Sequence, residues 1–250
     1  MLKIIEAFFK NAKIPPSSTP ADLGLSFHDV EIESNGRILK AWKMDRGGNW
    51  AVLVHGWGAN REVFLPLIRE LSRDFSLLAF DASNHGESSS HWPVSIKVFW
   101  QDIGSVIEFL GEEVFLVGHS MGAASAIIAA STYGQVSRVV AMAPFASTLE
   151  ITERMIKPLP LSLRKKILRK IEEEVGFSLE EFSPLNFICK RSIPHLLIHG
   201  KRDETVPYED SLRLNRRCPE AELLLSPDDD HRSILSHKEI LWKVRDFLTT

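Results

Sequence analysis

Val117–Ser125 read VGHSMGAAS, and the residues on either side of this stretch decide the fold. Upstream, EEVFLV is a continuous apolar run of the kind found in a strand covered on both faces. Downstream, MGAASAIIAAS (121–131) is a run of small residues whose natural form is a helix packed closely against a neighbour. Ser120 therefore sits between two glycines at a strand-to-helix junction.

The same alternation extends in both directions. WAVLVHG (50–56) gives way to REVFLPLIRELSR (61–73), SLLAFDAS (76–83) to IKVFWQDIGSVIEFL (96–110), and RVVAMAP (138–144) is the strand after the small-residue helix. The series resumes at IPHLLIHG (193–200), with YEDSLRLNRRC (208–218) as helix, AELLLSP (221–227) as strand and HKEILWKVRDFL (237–248) as the closing helix. Strands this apolar belong to a parallel sheet with helices on both faces. An antiparallel hairpin enters it: FHDVEIES (27–34) and RILKAWKM (37–44) flank Asn35-Gly36, a strong two-residue turn signal.

At 250 residues, with 44% hydrophobic and 25% charged side chains, the chain suits one α/β domain, expected over 25–250. Residues 1–24 are expected to form an amphipathic helix and a turn-rich linker, PPSSTPADLG (15–24). In MLKIIEAFFKNAK, Glu6 interrupts the apolar run and no small-residue cleavage site follows, so a signal peptide is not expected. The helix is expected to pack on its own domain, with a membrane surface or a second copy as the alternative partner. No stretch reaches transmembrane length. A net charge of -3 argues against nucleic acid as a partner. Cys189 and Cys218 lie far apart and suggest neither a disulfide framework nor zinc spacing, which fits a reducing cytoplasm.

Between Pro144 and Ile193 the rhythm breaks. Pro158 and Pro160 separate two helical patterns with no obvious strand, so residues about 145–190 are expected to form a cap-like insertion over one edge of the sheet. LRKKILRKIEEE (163–174) reads as a helix whose charges pair among themselves on a solvated face.

GHSMG matches G-x-S-x-G in the context that gives that motif its mechanics: a sharp strand-to-helix turn that lifts the serine hydroxyl clear of the sheet. A serine needs a base, and the base an orienting acid. IHGKRDETVP places Asp203 just past a buried strand end, and SPDDDHRSIL places His231 just past the last strand. Both fall on the rim that carries Ser120. The backbone N–H of Met121, together with that of Trp57 in VLVHGWGAN, would form the donor pair for a developing oxyanion.

HGWG, DASNHGES, GHSMG, FSPLNF, IPHLLIHGKRDETVP and the downstream His231, in this order, resemble the α/β-hydrolase superfamily, particularly its small serine esterase and lysophospholipase-like members. The resemblance runs from about Leu25 to the C-terminus. It implies Ser120 as nucleophile, His231 as general base, Asp203 as orienting acid, and Trp57 and Met121 as oxyanion donors. It also implies an acyl-enzyme intermediate, a small-molecule ester substrate, and neither cofactor nor metal.

Two departures stand out. Members often carry D-x-x-G-x-G-x-S after the fourth strand, whereas this chain places Asn84 and His85 in that turn, where a structural role is expected of His85. Asp228, Asp229 and Asp230 precede His231 and are expected to favour its charged form. An aminopeptidase or amidase uses the same machinery and is the runner-up, followed by a non-catalytic ligand-binding homologue. The short insertion predicts a small or medium pocket for short to medium acyl chains. Neither the sequence pattern nor the resemblance specifies an oligomeric state.

Overall fold

The computed structural model describes residues 13–250, so the segment expected to form the N-terminal amphipathic helix lies outside the described residues. Eight strands form one sheet: β1 (His28–Ser34), β2 (Arg37–Met44), β3 (Trp50–Val54), β4 (Ser76–Phe80), β5 (Val114–His119), β6 (Val136–Met142), β7 (His195–Gly200) and β8 (Glu222–Ser226). The helices are α1 (Leu65–Leu71), α2 (Ile96–Leu110), α3 (Met121–Thr132), α4 (Thr148–Met155), α5 (Leu161–Val175), α6 (Glu209–Arg217) and α7 (Lys238–Thr249).

Strand order is β1-β2-β4-β3-β5-β6-β7-β8. The hairpin β1–β2 is antiparallel and joins β4 antiparallel, after which every neighbouring pair is parallel. This is the α/β-hydrolase fold.

The apolar runs explain the layering. Val52 and Val54 of β3 pack into one cluster with Phe99 and Ile103 of α2 and Ile127 of α3. Their strand neighbours Ala51 and Leu53 point the other way, into a cluster with Leu67 of α1 and Val244 and Phe247 of α7. A strand buried on both faces needs apolar residues at every position, because alternate side chains enter opposite cores. Each large side chain buried this way contributes about 1.5–3 kcal/mol.

The segment between β6 and β7 contains α4 and α5 and a small core of its own, Ile156, Ile167, Ile171 and Leu179. Ser147 caps α4 through the Glu150 N–H at 3.2 Å, and Pro160 stands at the start of α5. Lys170 pairs with Glu173 and Glu174 along the outer face of α5, at 3.1 and 3.4 Å. Glu150 and Arg154 fasten α4 to α6 through Arg213 and Asp210, at 2.6 and 3.2 Å.

One expectation is corrected. Cys189 and Cys218 form a disulfide, with Cα atoms 5.5 Å apart, although 29 positions separate them in sequence. The topology is responsible: Cys189 precedes β7 and Cys218 ends α6, the helix that returns antiparallel beside that strand. The argument for a reducing compartment rested on unpaired thiols and loses its ground. Among the described residues no helix is long and apolar enough to cross a membrane.

Candidate active site

Ser120 has φ 54° and ψ -118°, a conformation an L-residue adopts only when its surroundings impose it, at a cost of about 1–3 kcal/mol. The imposition is visible at two glycines. A Cβ on Gly118 would lie 2.4 Å from the Gly122 carbonyl oxygen, and one on Gly122 would lie 2.0 Å from the Val54 oxygen. Only glycine lets α3 start this close to the ends of β3 and β5. The Ser120 N–H donates to Met142 O (2.8 Å) on one side, and its carbonyl accepts from Ala124 N (3.0 Å) on the other. Ser120 is thus fixed at the carboxyl end of β5, with the N-terminus of α3 directly behind it.

Asp203 and His231 meet. His231 Nδ1 lies 2.6 Å from Asp203 Oδ2, across 28 residues of sequence. The Asp203 side chain is fully buried, and its other oxygen accepts from the backbone N–H groups of Thr205 and Val206, each at 2.8 Å. Burial alone would raise this carboxyl's pKa, but the hydrogen bonds from His199, His231 and the Val206 N–H outweigh it and hold the group well below the usual carboxylate range. It is an anion at neutral pH.

Two histidines that the sequence reading passed over support this pair. His199 Nε2 reaches both Val206 O (2.9 Å) and Asp203 Oδ2 (3.2 Å), while its Nδ1 lies 2.7 Å from the Ser211 hydroxyl. Two acceptors at Nε2 mean that this nitrogen carries the hydrogen and that Ser211 donates to Nδ1. His119 Nε2 donates to the backbone oxygen of His231 at 2.7 Å, and the two rings lie in tilted contact with centroids 4.7 Å apart. Burial drives the His119 pKa down to about 3, so it is neutral and its one ring N–H goes to that carbonyl. The spacing H-x-x-x-D at 199–203 was the available signal for His199; for His119 there was none, because its partner lies 112 positions away.

The HGWG loop is held from beneath. His55 Nδ1 donates to Gly56 O (2.7 Å), and its Nε2 accepts from Ala82 N (2.9 Å), which joins this loop to the end of β4. Burial lowers the His55 pKa to about 4 and keeps that tautomer neutral. Asp81 receives the Arg61 guanidinium and the Arg61 and Glu87 N–H groups, so DASNHGES and the residues after HGWG are locked together. His85 is fully buried, donates from Nδ1 to Ser83 O (3.0 Å), and packs its ring edge-on to Trp57 at 5.5 Å. It lies beneath the loop and does not reach the rim.

Gly56, Trp57, Ser120, Met121 and His231 all line one cleft of about 1650 Å³. The cleft is larger than the small or medium pocket expected from the insertion, because its walls also include Ile14, the start of α1 and the His231 loop. One flank is apolar, formed by Phe145, Ile151, Val175, Phe177 and Val206. Among the described residues, the one group with metal-ligand proximity is Cys189, Cys218 and Glu220, and its two sulfurs are bonded to each other.

A serine on a sharp strand-to-helix turn at the strand ends of such a sheet is a feature of one class of fold, and the model of the Alpha/beta hydrolase family matches residues 51–230: the chain belongs to that family. The chain is 28% identical over 223 residues to protein phosphatase methylesterase 1 of Cryptococcus neoformans var. neoformans, covering 76% of this chain and 52% of that one. It thus spans about half the length of that relative. It is 29% identical over 198 residues to the uncharacterized protein YfhR of Escherichia coli O157:H7, covering 74% of this chain and 63% of that one. Among solved structures, the Pyrococcus furiosus esterase Pf2001 superposes with a TM-score of 0.77 at 26% identity, over 96% of this chain and 98% of that one.

Proposed function

We propose that the chain hydrolyses carboxylic esters, thioesters included, through an acyl-enzyme formed on Ser120. The observation that carries this reading is the Asp203–His231 hydrogen bond at 2.6 Å on the cleft that also exposes Ser120. With Nδ1–H donated to an ionised Asp203, the imidazole keeps its lone pair on Nε2, the tautomer a general base requires. His231 takes the Ser120 proton as Oγ bonds to the substrate carbonyl carbon, and the N–H groups of Trp57 and Met121 receive the oxyanion. Collapse breaks the bond to the alcohol oxygen, which leaves with the proton from His231. Water, deprotonated by the same histidine, then releases the acid and restores Ser120.

The acyl group would occupy the apolar flank beneath α4 and α5, whereas the rest of the cleft opens to the alcohol side. That division favours short to medium acyl chains even in a cleft of about 1650 Å³. The relatives named as esterases support the reaction class.

A fluorophosphonate probe is expected to label the wild type at Ser120 alone. Ser120→Ala is expected to lose on the order of 10⁴- to 10⁶-fold in kcat on p-nitrophenyl butyrate. Labelling at another residue, or turnover by the alanine variant within tenfold of wild type, refutes the assignment.

A further inference from the structure

The three carboxylates before His231 take three different places. Asp228 makes an exposed ion pair with Arg202, at 2.5 Å. Asp230 accepts from the Arg232 and Ser233 N–H groups, each at 2.8 Å, and caps the turn that follows. Asp229 is buried, and its carboxylate gathers three side-chain donors: Ser226 Oγ (2.5 Å), His237 Nδ1 (2.5 Å) and Ser233 Oγ (2.7 Å). These come from the last residue of β8, the middle of the loop and the residue before α7, so one side chain ties both ends of the His231 loop to its centre.

The backbone of Asp229 extends the tie to the acid. Its carbonyl accepts from Arg202 N at 3.0 Å, one residue before Asp203. The loop passes so close to the end of β7 that a Cβ on Gly200 would stand 2.2 Å from that oxygen. The bonds also form a relay, since Ser233 Oγ accepts from Asp230 N (2.9 Å) while donating to Asp229. Residues on both sides of His231 are therefore anchored to one carboxylate. Burial would raise the Asp229 pKa, but the Ser226, His237 and Ser233 bonds prevail and lower it, while the carboxylate beside His237 raises that ring's pKa.

We infer that Asp229 is a positioning residue: its carboxylate fixes the loop so that the His231 imidazole meets Asp203 while facing the cleft. The inference rests on the proposed esterase reading for its kinetic test, though not for its structural one. A loop released at Ser226, Ser233 and His237 keeps the Arg202 N–H to Asp229 O bond and the Asp230 cap but loses the tie between its two ends, and a displacement of about 1 Å at a general base costs on the order of 10²-fold. Substrate binding on the apolar flank would be untouched.

The experiment compares Asp229→Ala, Asp229→Asn, Ser233→Ala and Asp228→Asn on p-nitrophenyl butyrate. It is paired with the downfield proton resonance of the His231 Nδ1–H bond in each protein. Asp229→Ala is expected to lower kcat about 10- to 100-fold with KM within about twofold, and to shift or broaden that resonance. Asp229→Asn keeps the shape and one accepting oxygen but puts an NH2 donor where the other oxygen accepted, and is expected to recover part of the loss. Asp228→Asn is expected to stay within about twofold of wild type. If Asp229→Ala unfolds, Ser233→Ala, which removes one of the three bonds, carries the same test at an expected loss of a few-fold. A kcat within twofold for Asp229→Ala, a change confined to KM, or an equal loss in Asp228→Asn overturns the inference. A wild type without esterase turnover refutes the functional reading instead, and the resonance then decides the positioning role alone.

Discussion

The disulfide offers a magnitude that can be worked out and checked. Cys189 and Cys218 are 29 positions apart, and cross-linking that span restricts the unfolded chain more than the folded one. In the loop-entropy treatment a span of this length corresponds to about 12 cal/mol/K, or about 3.6 kcal/mol at 25 °C. For a chain of 250 residues each kcal/mol moves Tm by roughly 2–4 °C, so opening the bond is expected to lower Tm by roughly 7–14 °C. The assay is scanning calorimetry of wild type with and without a phosphine reductant, beside the double variant Cys189→Ser, Cys218→Ser. The reductant should lower the wild-type Tm to that of the double variant and leave the variant unmoved. A shift below about 2 °C, or an equal shift in both proteins, refutes the reasoning. The bond joins the segment before β7 to the end of α6, on either side of the strand that leads into the Asp203 loop. Catalytic turnover is therefore expected to survive reduction at 25 °C and to be lost at a lower temperature than in the oxidised protein.

Other expectations follow from single contacts. Asp203→Asn replaces the anion that holds the His231 tautomer and is expected to cost about 10⁴-fold in kcat, as for other buried Asp–His pairs, with near-normal KM in steady-state assays. Asp203 also titrates lower in the folded chain than when unfolded. Its contribution to stability is thus present above the ordinary carboxylate pKa of about 3.9 and lost as pH falls through the lower folded value. Urea midpoints measured from pH 6 down to pH 2 should fall less steeply for Asp203→Asn than for wild type. Gly122→Ala brings a methyl against the Val54 and His55 carbonyls at 2.0 and 2.4 Å, and is expected to cost about 1–3 kcal/mol in urea unfolding along with most of the activity.

What could be read from the sequence, and what could not, divides along a physical line. The apolar runs ending at Val54, Phe80 and Met142 placed their strands because a strand buried on both faces leaves a continuous signal in one window of residues. That Ser120, Asp203 and His231 fall on one rim was legible for a related reason: each stands at or a few residues past the end of such a run, and strand ends in a parallel sheet share one edge. The disulfide was missed because Cys189 and Cys218 become neighbours only through the path of α6 beside β7, which no local pattern encodes. The same holds for His119, whose one ring hydrogen goes to the backbone of His231, 112 positions away. His199 differs: its partner Asp203 is four positions on, but inside an apolar run the histidine reads as one more strand residue.

The Asp228–Asp230 run illustrates the limit most directly. As a string it is three equal charges beside a histidine, and proximity makes all three electrostatic neighbours of it. Folded, Asp228 faces solvent and pairs with Arg202, Asp230 caps the following turn through two N–H groups, and Asp229 turns inward to three side-chain donors. Successive residues of a loop point in different directions, so a charge run is also a sequence of orientations, and a buried carboxylate persists only where donors are already arranged to receive it. Ser226, Ser233 and His237 are those donors, and they lie three, four and eight positions from Asp229. In the proposed reading His231 must meet both Asp203 and a substrate, and the three donors gathered on Asp229 hold its loop for that task.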